Sequence, residues 1–117
     1  MGSRTFTQPI QQNFSTKQLY PGSNEFVDNG TTITLSDPVT NYKWINFTLY
    51  NQAVVGSSRM NLIVPARSLL QASYYSFANG LDPASLRMQV DTTGTILTIL
   101  QNTFNGQLIV GEILGLK

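Results

Sequence analysis

Between Asn41 and Asn51 the chain alternates: Ile45, Phe47 and Leu49 are separated by Tyr42, Trp44, Asn46, Thr48 and Tyr50. A period of two is the pattern of a strand with one face on a core. The odd positions are that face, with Phe47 its central anchor. The same period returns in Arg59 to Val64, where Met60, Leu62 and Val64 share one side, and in Ser85 to Val90, where Leu86, Met88 and Val90 point in while Ser85, Arg87 and Gln89 point out. Shorter extended pieces are predicted at Phe26, at Thr31 to Leu35, at Ser73 to Phe77, at Thr95 to Asn102 and in the closing run to Lys117.

Turn residues punctuate these pieces. Asp28-Asn29-Gly30 suits a type I′ hairpin, because both central residues need positive φ. Pro38 sits in a second turn, Gly56 near the tip of a loop after Asn51, and Asp91 to Gly94 in a further turn. Pro65 ends its ladder for want of an N–H and opens the only helical piece, a single docked turn near Ala66 to Leu70. The last three strands read as an antiparallel meander, the final two pairing across Thr103 to Asn105. About eight short strands with at most one helical turn predict an all-β fold, an antiparallel β-sandwich or jelly roll.

The first 24 residues carry no stable period and read as an extended arm or linker closed by Pro21-Gly22, with Met1 to Ser3 a scar of expression. Residues 25–117 form the sandwich. A chain of 117 residues holds one domain and one core. It has no cysteine, hence no disulfide and no thiolate chemistry. Charged residues make up 11% and the net charge is +1, so the surface is polar but carries little field, which argues against nucleic-acid binding by counterion release. No apolar run approaches a membrane span, and the start lacks the apolar stretch of a signal peptide.

Catalytic machinery is not expected. Histidine is absent, leaving acid–base work to Asp, Glu, Lys or Tyr. Most of the carboxylates fall in turn signals, where Asp bonds its own backbone. Asp82 and Asp91 flank one strand, about 30 Å apart at full extension, too far for a glycosidase pair. Glu112 reads as an outward charge blunting an edge, or as a partner for Arg59 or Arg87. No metal-ligand spacing and no phosphate cradle occurs, so neither metal nor cofactor is expected.

The aromatic residues remain. Tyr74 and Tyr75 adjoin in one strand and point to opposite faces. A flat ring with a polar handle suits protein and sugar recognition. Taken together, Tyr42, Trp44, Tyr50, Tyr74 and Tyr75 predict an interface, with a ligand or with a neighbouring subunit. The low charge content places its binding energy on rings and not on charges.

The strings TTITLSDPVTNYKWINFTLYN, LIVPARSLL, TILTIL and IVGEILGLK resemble the C-terminal receptor-binding domains of tail fibres of tailed bacteriophages and prophages. The resemblance rests on Thr34 to Ser36, on Asn41, Tyr42 and Ile45, on Val64-Pro65 and on Leu114 to Lys117, and covers about Gly30 to Lys117. The segment Leu81 to Val90 and the first 30 residues have no counterpart in it. It implies a homotrimeric β-sandwich on a virion, extracellular, that binds a bacterial cell-surface saccharide or protein and performs no catalysis. The other reading of the same features is structural: a capsid decoration or tail assembly protein whose aromatics meet other virion proteins.

Overall fold

The alternating segments fold as strands of two antiparallel sheets whose apolar faces meet in a β-sandwich. The computed structural model describes residues 15–51, 58–77, 84–103 and 108–117, and of Asn51, Ser58, Ser76, Phe77 and Ala84 only the backbone. Nine strands lie among the described residues: β1 (Thr16–Tyr20), β2 (Phe26–Val27), β3 (Thr32–Thr34), β4 (Trp44–Asn51), β5 (Ser58–Pro65), β6 (Ser73–Phe77), β7 (Ala84–Val90), β8 (Ile96–Asn102) and β9 (Leu108–Leu116). The first sheet runs β1-β9-β4-β5, with β2 also on β9. The second runs β3-β8-β7-β6.

The core lies between them. Ile45, Phe47, Leu49 and Val64 from the first sheet meet Ile33, Leu86, Met88, Val90, Leu97 and Ile99 from the second. Phe47 is among the largest fully buried side chains, as its central position on the odd face predicts. Strand β9 lies between β4 and the β1–β2 edge, and its apolar residues occupy both parities. A bulge makes this possible. Phe47 pairs with Ile113 but Leu49 pairs with Val110, so two residues of β9 stand opposite Thr48. The extra residue resets the parity, which keeps Leu108 and Val110 inward on one side of it and Ile113 inward on the other.

Several local expectations change. The last two strands do not pair with each other: β8 lies in the second sheet between β3 and β7, and β9 crosses to the first. The Asn29-Gly30 turn is not a hairpin. Its Thr31 N–H donates to the Asp28 carbonyl at 3.1 Å, and Gly30 has φ 91°, but β2 pairs with β9 and β3 with β8, so the turn carries the chain between sheets. Thr16–Tyr20, within the segment read as an arm, is extended, pairs with β9 and buries Leu19. The helical piece at Ala66–Leu70 is a 3-10 turn, and a second such turn spans Val39–Asn41. Glu112 sits on interior strand β9, and its Oε2 accepts a hydrogen bond from Gln18 Nε2 at 2.6 Å. Gly56 and Asp82 lie outside the described residues, as do the side chain of Phe77 and the rest of 52–57, 78–83 and 104–107. Among the described residues no helix is long and apolar enough to cross a membrane.

Candidate functional site

The outward side of the first sheet gives the opening face of β4 its meaning. Cross-strand pairs place Trp44 opposite Pro65 and Leu116, and Asn46 opposite Ile63 and Leu114. Trp44 is 46% exposed and Ile63 56%, with Leu114 and Leu116 half-buried beside them. The result is a small apolar cluster open to solvent at one end of the sheet. Beneath it, the Asn46 Oδ1 is buried without a hydrogen-bond partner among the described residues. Leaving such an acceptor unsatisfied costs about 1–3 kcal/mol.

Tyr42 is not on that face. It precedes β4, turns inward and joins the core at 8% exposure. Its ring lies over Gly115, where a Cβ would come within 2.7 Å of ring atoms. Its hydroxyl donates to the Asp37 carboxylate at 2.7 Å, and the Lys117 Nζ stands 5.8 Å from its ring centre. Burial first, and the bond to Asp37 second, push the Tyr42 hydroxyl pKa up to about 12. The same bond from Tyr42, joined by one from Asn41, holds the Asp37 carboxyl below its ordinary value.

The other predicted aromatics are dispersed. Tyr50 is half-buried at the far end of the first sheet, opposite Ile109 and Arg59. Tyr74 lies on the outward side of the second sheet, 58% exposed, and its hydroxyl accepts from Ser85 Oγ at 3.1 Å. Tyr75 points the other way, packs against the core and lies 3.2 Å from the Ser68 hydroxyl. The five residues therefore form no single site. Two of them, Trp44 and the rim of Tyr42, meet at one place.

That place is a notch of about 300 Å³ lined by Thr40, Tyr42, Lys43, Trp44, Pro65 and Arg67. It is held by backbone bonds. The Lys43 N–H donates to the Leu116 carbonyl at 2.9 Å, and the Lys43 carbonyl accepts from the Ala66 N–H at 2.9 Å. The second bond ties the start of β4 to the turn carrying Arg67. Ser68 Oγ closes that turn on the Pro65 carbonyl at 2.7 Å. Lys43 and Arg67 are exposed, and neither has an acidic partner among the described residues, where the single ion pair joins Lys17 to Asp37 at 4.0 Å. Thr40, Lys43, Pro65 and Arg67 escaped the aromatic reading of the sequence. The signal for them was a basic residue directly before the sole tryptophan and a second one two residues after Pro65.

Other concavities have different linings. A broader one of about 600 Å³ lies on the second sheet between Leu70, Gln89, Val90, Asp91, Thr92, Thr98 and Leu100, with no aromatic ring among these described residues. Its Asp91 Oδ1 already accepts from Thr93 Oγ1 at 2.7 Å and from the backbone N–H groups of Ile96 and Thr95, which lowers the Asp91 pKa. Another, about 460 Å³, is bounded by Pro21 to Asn24, Tyr50, Gly111 and Glu112. Among the described residues no three of His, Cys, Asp and Glu come together.

No protein-family model matches the chain, and no curated protein shows significant similarity to it.

Proposed function

We propose that the protein is a non-enzymatic binding module of a bacteriophage tail, homotrimeric at the tip of a fibre, that recognises a saccharide or protein on a bacterial surface. The observation that carries this reading is the solvent-open apolar cluster of Trp44, Ile63, Leu114 and Leu116 on the outward side of the first sheet. Large apolar side chains gathered on a sheet face are costly to leave in water and mark contact surfaces. The resemblance in Thr34 to Ser36, Tyr42, Val64-Pro65 and Leu114 to Lys117 supplies the biological setting. Phe26, half exposed at the opposite end of the same sheet, favours a second reading, a structural virion protein that packs against its neighbours over the whole face. Two measurements separate them. Light-scattering mass gives the oligomer order, expected to be three chains. Sedimentation with intact bacteria tests the receptor reading. Binding to other virion proteins, with none to cells, would support the structural one.

A further inference from the structure

We infer that the notch between Trp44, Lys43 and Arg67 binds an acidic saccharide, one bearing carboxylate or phosphate groups. The inference rests on the receptor-binding reading and names its ligand class.

The lining sets the chemistry. An exposed indole offers a flat apolar surface that takes the C–H face of a sugar ring. Thr40 adds a hydroxyl that donates and accepts. Lys43 and Arg67 add two cations to the same small concavity, and neither is neutralised by a carboxylate of the described residues. A neutral sugar would use the ring and the hydroxyl and leave both cations idle. A ligand with an anionic group uses all four. Guanidinium forms paired hydrogen bonds with carboxylate and phosphate, and lysine adds a compact charge beside it. The Asp37 carboxylate, the nearest acid along the chain, does not line the notch; it is engaged by the Tyr42 hydroxyl at 2.7 Å and by Lys17.

The notch is also built in advance. Lys43 is tied through its N–H to β9 and through its carbonyl to Ala66, so the two basic residues are brought together by backbone bonds and not by chance meeting of long side chains. The low overall charge therefore understates the role of charge here: two of the seven basic residues are concentrated beside the single tryptophan.

The sole tryptophan makes the test direct, because all indole emission comes from Trp44. The intact chain is titrated with an oligogalacturonate, a phosphomannan fragment and a neutral manno-oligosaccharide of the same length. At least one acidic probe is expected to change Trp44 emission saturably and the neutral one to leave it nearly unchanged; which acidic probe does so tells carboxylate from phosphate. Lys43→Gln and Arg67→Gln should each weaken binding roughly three- to tenfold, and binding should fall as salt rises. An equal response to the neutral probe, no response to either acidic one, or unchanged affinity in the double variant overturns the assignment. Adsorption to bacteria separates this from the parent reading. Cells bound equally by the wild-type chain and by Lys43→Gln/Arg67→Gln would remove the notch but keep the receptor function. Failure of the wild-type chain to bind cells would remove the receptor function.

Discussion

Replacing Gly115 by alanine tests the packing that shapes one wall of the notch. An ideal Cβ on Gly115 lies 2.7 Å from Cγ and Cδ1 of Tyr42 and 2.8 Å from its Cδ2, whereas carbon atoms rest about 3.5–4.0 Å apart. The ring has two responses. It stays and the core is overpacked, at about 1–3 kcal/mol. Or it swings out, giving up roughly 1.5–3 kcal/mol of burial and about 1 kcal/mol for the hydrogen bond to Asp37. Alanine in a strand recovers about 0.5–1 kcal/mol over glycine. The net expectation for Gly115→Ala is a loss of about 1–2 kcal/mol, or roughly 5–10 °C in melting temperature. Guanidinium unfolding followed by Trp44 emission measures it. The cause is isolated by repeating the substitution in Tyr42→Ala, where the obstacle is gone and Gly115→Ala should be neutral or stabilising by up to about 1 kcal/mol. A Gly115→Ala protein as stable as the parent, or an equal loss in both backgrounds, would refute the close approach.

Phe47→Ala should cost about 3–5 kcal/mol and leave the chain poorly folded or insoluble, read by solubility and melting; an unchanged melting temperature would place the strand register one residue off. Tyr42 predicts alkaline sensitivity. Its folded pKa of about 12 lies above the ordinary tyrosine value of about 10, so its contribution is full below pH 10 and is lost as pH rises from 10 to 12; Tyr42→Phe should be less stable at neutral pH and should lose less between pH 10 and 12. Tyr74→Ala and Tyr75→Ala should differ. The outward Tyr74 should cost less than about 1 kcal/mol and the inward Tyr75 about 2–3 kcal/mol, and equal losses would contradict their opposite orientations.

Side-chain parity carried the sequence reading wherever a strand is regular. Ile45, Phe47 and Leu49, like Leu86, Met88 and Val90, follow from period two alone, because one face of each strand must meet the core. Parity failed at the strand's end. Tyr42 shares it with Trp44, but β4 begins at Trp44, and two residues earlier the backbone is leaving a 3-10 turn, so the ring is free to turn in over Gly115. Strand pairing was less legible than strand identity. Short spacing and the Asn-Gly turn favoured local hairpins, and β7 does pair with β8, but β2 and β9 take only partners distant in sequence, and β3 takes β8. The apolar residues of β9 at both parities, Leu108, Ile109 and Val110 among them, reflect the bulge opposite Thr48, which resets the direction of the side chains partway along the strand and which period two alone does not reveal. The notch was legible only in part: the sequence shows Lys43 beside Trp44, but Arg67 joins them through the Ala66 to Lys43 bond, a contact no local pattern encodes.

Contact between the proposed receptor and the outward face around Trp44 is measured by co-sedimentation of the purified chain with a panel of intact bacteria, comparing wild type with Trp44→Ala. Trp44 is 46% exposed, so the substitution should leave the fold intact by circular dichroism. Saturable binding to at least one strain is expected, weakened on the order of tenfold or more in the folded variant, as for a central aromatic anchor. Binding by Trp44→Ala equal to wild type, or no binding of the wild-type chain to any strain, would contradict that contact.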